Sequence, residues 1–155
     1  MPADQGNLSL LKHPIAEELL SSSIPARLAY NWTDGTPRVV PIWFHWDGEV
    51  FVMGSPLNAP KMKALASNSQ VALTIDDITF PYKILQVRGS VNIETVKSPS
   101  AEYASCAKRY LGDEVGQGFV DQFTGMFPEM ARITITPKWA SVIDLVERFP
   151  SAWES

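Results

Sequence analysis

Little in this chain is suited to covalent or metal chemistry. Cys106 is the only cysteine among 155 residues, so no internal disulfide can form and a cytoplasmic setting is expected. His13 and His45 are the only histidines, and they lie too far apart for zinc-ligand spacing. Positive charge is also scarce. Thirteen Lys and Arg against 17 Asp and Glu leave a net charge of -4, which argues against a nucleic-acid surface. No apolar run approaches the roughly 20 residues needed to cross a bilayer, so no membrane partner is expected. MPADQGNLSLLKH lacks the pattern of a secretory signal. There is no internal repeat and no low-complexity tract.

The remainder suits one domain with a real core, flanked by tails at residues 1–10 and 150–155. The apolar fraction is 45%, ordinary for a soluble fold of this length. Five tryptophans are many for so short a chain. At this density they point to a flat ligand or an interface, although core packing is the commoner use.

The stretch Arg38–Leu65, RVVPIWFHWDGEVFVMGSPLNAPKMKAL, is the most informative. Arg38 to Trp46 is β-branched and aromatic, as a strand should be. Asp47-Gly48 signals a hairpin turn, and Glu49 to Gly54 reads as the returning strand. Pro41 inside the first strand cannot donate to a ladder, which places it on an edge or beside a ligand. A loop from Ser55 leads to a helix starting near Lys61, with Pro60 at its first position. Lys61 and Lys63 oppose the helix dipole unless an anion sits there. Free N–H groups at a helix start bind anions, so the loop, with donors from Ser55 and Asn58, is a candidate phosphate site.

Elsewhere, Pro14–Leu20 reads as a short helix. Pro25–Trp32 reads as a strand with Leu28, Tyr30 and Trp32 on one face. Gln70–Ile75 and Lys83–Thr95 are further strands, the second bent at Gly89. Pro99–Tyr110 is a helix capped by Ser98, and a looser helix follows from Asp113 to about Phe123. Met130–Thr136 is a strand interrupted at Pro137-Lys138-Trp139 and resumed from Ala140 to Leu145. The order is not a strict alternation of strand and helix. A mainly antiparallel barrel of about six to seven strands with helices therefore fits better than a parallel sheet.

This layout resembles the pyridoxamine 5'-phosphate oxidase-like FMN-binding split barrels. The pieces that carry it are ARLAYNWTDGTPRVVPIWFHWDG, KMKALASNSQVALTI, QVRGSVNIE, KRYLG and RITITPKWASVID, from roughly Pro25 to Leu145. The resemblance implies a homodimer with two cofactor sites at its interface. It implies that Arg38 and Lys61 hold the flavin phosphate. Val39, Val40, Pro41, Ile42 and Trp43 would line the ring through their backbone, with Val52 and Met53 on the facing strand. Lys63 matches a basic helix position, Gln86 a polar contact to the ring, and Trp139 a contribution from the partner subunit. The true oxidases carry Arg where Pro60 stands and a basic residue where Trp43 stands. Their C-terminal substrate motif of Arg and His is missing here.

The function implied is hydride transfer between FMN and a small organic substrate other than pyridoxamine phosphate, the chemistry being supplied by the flavin. Coenzyme F-420, a deazaflavin with an acidic tail, is the alternative cofactor on the same fold. A non-catalytic flavin or haem binder is the competing class, although haem would want a ligating histidine.

Overall fold

The structure is a computed structural model that describes residues 4–153. Of the tails expected at residues 1–10 and 150–155, residues 1–3 and 154–155 lie outside the described residues. Seven strands form one antiparallel sheet: β1 (Ala26–Asn31), β2 (Pro37–Ile42), β3 (His45–Trp46), β4 (Phe51–Ser55), β5 (Gln70–Asp77), β6 (Lys83–Lys97) and β7 (Glu129–Ile143). Their spatial order is β2-β1-β5-β6-β7-β4-β3. Four helices accompany them: α1 (Pro14–Leu20), α2 (Pro60–Ser67), α3 (Ala101–Leu111) and α4 (Asp113–Met126). None is long and apolar enough to cross a membrane.

The run Arg38–Trp46 is not the single strand its composition suggests. It divides into β2, paired with β1, and β3, paired with β4, at opposite edges of the sheet. Trp43 and Phe44 carry the chain from one edge to the other, and the Phe44 side chain is fully buried at the crossing. The two edges are therefore consecutive in sequence, and the sheet curls into a split barrel around them. Pro41 lies on the edge strand β2, where its missing N–H breaks no central ladder.

The Gly89 bend is present. Between Arg88 and Gly89 the β6–β7 register slips, pairing Arg88 with Trp139 and Gly89 with Pro137, so Lys138 is the extra residue. A Cβ on Gly89 would lie 2.3 Å from the Thr136 carbonyl oxygen, so only glycine fits. The bulge absorbs Pro137, and β7 runs unbroken where an interruption was expected. The cap of α3 is Ser100 rather than Ser98. Its Oγ accepts from the Tyr103 N–H at 3.2 Å, while the Ser98 N–H is spent on the Pro128 carbonyl at the end of the β6–β7 ladder. α4 continues past Phe123 to Met126, because buried Val120 and Phe123 anchor it despite its glycines.

Leu28, Leu73, Ile75, Leu85, Ile133 and Val142 fill the barrel interior. Leu10, Leu11 and Leu19 close it from the N-terminal side. The Gly6 N–H donates to the Ala140 carbonyl at 2.8 Å, which holds Gly6 along β7. A second cluster, Tyr103, Phe123 and Met130, forms where α3 and α4 cover part of the outer face.

Candidate functional site

The loop between β4 and α2 has the features of an anion site. Ser55 ends β4, and its buried hydroxyl has no hydrogen-bond partner. Pro60 opens α2, and Ala59 before it supplies no side-chain cap, so no side chain satisfies the first N–H groups of the helix. Lys61 follows in the first turn. It is half-buried, and desolvation pulls its ammonium pKa below the ordinary lysine value. Among the described residues no carboxylate lies within ion-pair distance of it. A desolvated cation, an orphaned hydroxyl and a helix start without a side-chain cap together fit a phosphate. Lys63 is exposed one position beyond Met62. Arg38 is exposed at the start of β2, with its guanidinium carbon 4.5 Å from the Trp32 ring centre.

The pleat of β2 sorts the expected ring-binding residues. Val39 and Pro41 are exposed on the outer face, while Val40 and Ile42 pack against the barrel core. Registration then sets Val39 opposite Ala29, Ala29 opposite Ala72, Ala72 opposite Arg88 and Arg88 opposite Trp139. A recess of about 370 Å³ lies on this face, bordered by Val39, Thr74, Gln86 and Trp139. The sheet thus gathers Val39, Gln86 and Trp139, which are far apart in sequence. Arg88 covers the Trp139 ring at 4.0 Å. Val52 and Met53 are fully buried in β4, so only their backbone could meet a ligand.

Trp43 stands apart from that recess. Its ring stacks on Tyr110, with centroids 5.3 Å apart and an angle of 6°. Phe119 and Tyr103 flank it at 5.3 and 6.1 Å. A shallow cavity of about 340 Å³ borders Pro41, Ile42, Trp43, Gly54, Tyr103 and Phe119. Sequence reasoning missed Tyr103 and Phe119 as its walls, and Tyr110 as the ring stacked on Trp43. The one available signal was the aromatic spacing along the two helices, which reads equally well as ordinary core. Burial raises the Tyr103 pKa to about 12 and the Cys106 pKa to about 11, so Cys106 is an inert core thiol.

A seven-stranded antiparallel sheet curled into a split barrel and accompanied by four helices defines the class of fold. The particular family follows from sequence. Residues 13–144 match the family described as pyridoxamine 5'-phosphate oxidase, and the chain belongs to it. Members of the family bind flavins or deazaflavin.

Among solved structures, an F-420 reductase is 30% identical, with a TM-score of 0.63, covering 81% of this chain and 94% of that one. A Clostridium acetobutylicum protein related to general stress protein 26 is 16% identical, with a TM-score of 0.63 and 90% of each chain covered. The haem storage protein HutZ of Vibrio cholerae is 18% identical, with a TM-score of 0.59, covering 81% of this chain and 89% of that one. The last two share the fold. Among curated proteins, none matches the chain in sequence.

Proposed function

We propose that this chain is an oxidoreductase that passes hydride between a phosphorylated flavin-type cofactor and a small organic substrate, acting as a homodimer. The observation that carries the reading is Lys61, half-buried and without a carboxylate partner in the first turn of α2. Lys61, Ser55 and the α2 N–H groups hold the phosphate, with Arg38 as a second cation. The backbone of β2 orients the ring, and Gln86 and Trp139 contribute from the open sheet face. The cofactor, once bound, supplies the hydride chemistry. FMN satisfies this donor set. Coenzyme F-420 is the second reading, and the 30% identity to an F-420 reductase over nearly its whole length favours it.

The substrate is flat and weakly charged. The cavity beside Trp43 is walled mainly by apolar and aromatic side chains. The only arginine after Trp139 is also already engaged: Arg148 Nε donates to the Val142 carbonyl and Nη2 to the Asp4 carbonyl. A phosphorylated substrate would find no bidentate clamp there. Ordinary turnover of pyridoxamine 5'-phosphate by the loaded protein would overturn this part of the reading.

The test of the whole is titration of the purified protein with FMN and with F-420, followed by absorbance. One of them should bind tightly. Lys61→Ala should weaken it about ten- to a hundredfold, the worth of a charge-assisted phosphate contact. Riboflavin, lacking the phosphate, should bind parent and variant alike. Unchanged affinity in Lys61→Ala would move the phosphate site elsewhere.

A further inference from the structure

A cleft of about 770 Å³ takes no part in the cofactor reading. It lies between the N-terminal segment, α1, the β3–β4 turn, α3 and the β7 bulge. One side is apolar, made by Leu8, Leu11, Leu20 and Trp46. Among its polar lining residues, His45 and Arg109 each keep a buried nitrogen without a partner: His45 Nδ1 and Arg109 Nε.

The Arg109 guanidinium is already fixed in place. Its carbon lies 4.9 Å from the ring centres of both Phe44 and Tyr110. Nη2 donates to the Phe44 carbonyl. Among the described residues no carboxylate pairs with it. A preorganised cation with an unused N–H, and a second unpartnered ring nitrogen on a residue lining the same cleft, are arranged for an acceptor that the described residues do not supply. The exposed Lys12, Glu17 and Glu49 also border the cleft; together they leave one net negative charge, which disfavours a polyanion while one inner negative charge is accommodated.

We propose that this cleft is a second small-molecule site that takes a flat apolar monocarboxylic acid. The carboxylate accepts from Arg109 Nε and His45 Nδ1, and the apolar body lies against Leu11, Leu20 and Trp46. The site is separate from the phosphate loop and does not depend on which cofactor binds there.

The experiment is titration of the ¹⁵N-labelled protein with 2-naphthoate, followed by proton–nitrogen correlation NMR. Saturable shifts are expected at the Trp46 indole N–H and the Arg109 Nε–H, with the Trp139 indole unmoved. Neutral 2-naphthamide, of the same shape, should bind at least about tenfold more weakly, since it lacks the charge. His45→Phe should weaken the acid by about tenfold, and because no hydrogen bond depends on Nδ1, it should leave the remaining spectrum folded. The amide binding as well as the acid, shifts centred on Trp139, or no saturable shift at all would overturn the proposal. Competition by saturating FMN or F-420 would overturn the separateness of the two sites.

Discussion

The outer surface of the barrel is treated in two opposite ways. Over β4 and the start of β7, the hairpin of α3 and α4 lies on the sheet, leaving Val52 1% and Tyr103 9% exposed. There the sheet thins to fit the helix. A Cβ on Gly54 would come within 2.5 Å of the Tyr103 ring and 2.4 Å of the Met130 methyl. Among the described residues no helix covers the outer face of β1 and β2, and Val39 is 65% exposed there. Ala29, Ala72 and Thr74 keep that surface shallow, with Trp139 and Arg88 on one side. The covered face invests aromatic side chains in its own packing, while the open face presents backbone, small side chains and a recess. A flat surface of that kind suits a planar ring or a second copy of itself.

The contrast is broken most severely from the covered side. Tyr103→Ala removes the ring that touches Gly54 and packs on Phe123 at 4.7 Å. It should cost about 3–5 kcal/mol, as large aromatic-to-alanine changes in cores do. Urea unfolding of the two proteins side by side measures it. A loss under about 1 kcal/mol would mean that the helical hairpin is not part of the cooperative fold.

The ion pair that ties the same hairpin to the sheet is a smaller lever. Glu102 on α3 accepts from Arg132 Nη2 at 2.6 Å and Nε at 3.1 Å. The Arg132 guanidinium holds the Glu102 carboxyl below its ordinary value of 4.5. A carboxylate depressed by folding binds fewer protons in the native state than in the unfolded one. The stability it adds is complete above the ordinary pKa and drains away as pH falls through the folded value. Glu102→Gln should therefore cost about 1–2 kcal/mol at neutral pH, and the gap to the parent should close in acid. A gap that stayed constant from pH 7 down to strong acid would show that the charge contributes nothing.

How much of this was legible in the sequence depends on whether the deciding contact was local. The bounds of α1, the proline at the start of α2 and the bend at Gly89 follow from residues a few positions apart, and they are where the sequence places them. The break at Trp43-Phe44 was not legible. β-propensity is equally high on both sides of it, and only closure of the barrel assigns β2 and β3 to different partners. The same holds for the Ser100 cap, since a distant carbonyl at Pro128 takes the Ser98 N–H. Within the site, Lys61 carried a local oddity, a cation at the wrong end of a helix, and could be found. Arg109 carried none, because its unused Nε exists only once α3 has docked over Phe44.

The least expected effect on folding belongs to the open face, and it is the sharpest test of what that face is for. Val39 points outward from an edge strand, opposite Ala29, so Val39→Arg exchanges one exposed side chain for another. Unfolding free energy of the isolated protomer should stay within about 0.5 kcal/mol of the parent. Association should respond differently. A two-fold interface brings the same patch of both copies together, so every charge added to one is added to the other. Arg27 and Arg88 already border the recess. A further guanidinium there meets cations and no free carboxylate, and burying it unpaired costs several kcal/mol. The parent should scatter light as a particle of twice the 17.2 kDa chain mass, and Val39→Arg as a folded particle of the chain mass. A variant that remained dimeric would place the interface on another surface, and a parent of 17.2 kDa would leave the open face to a ligand alone.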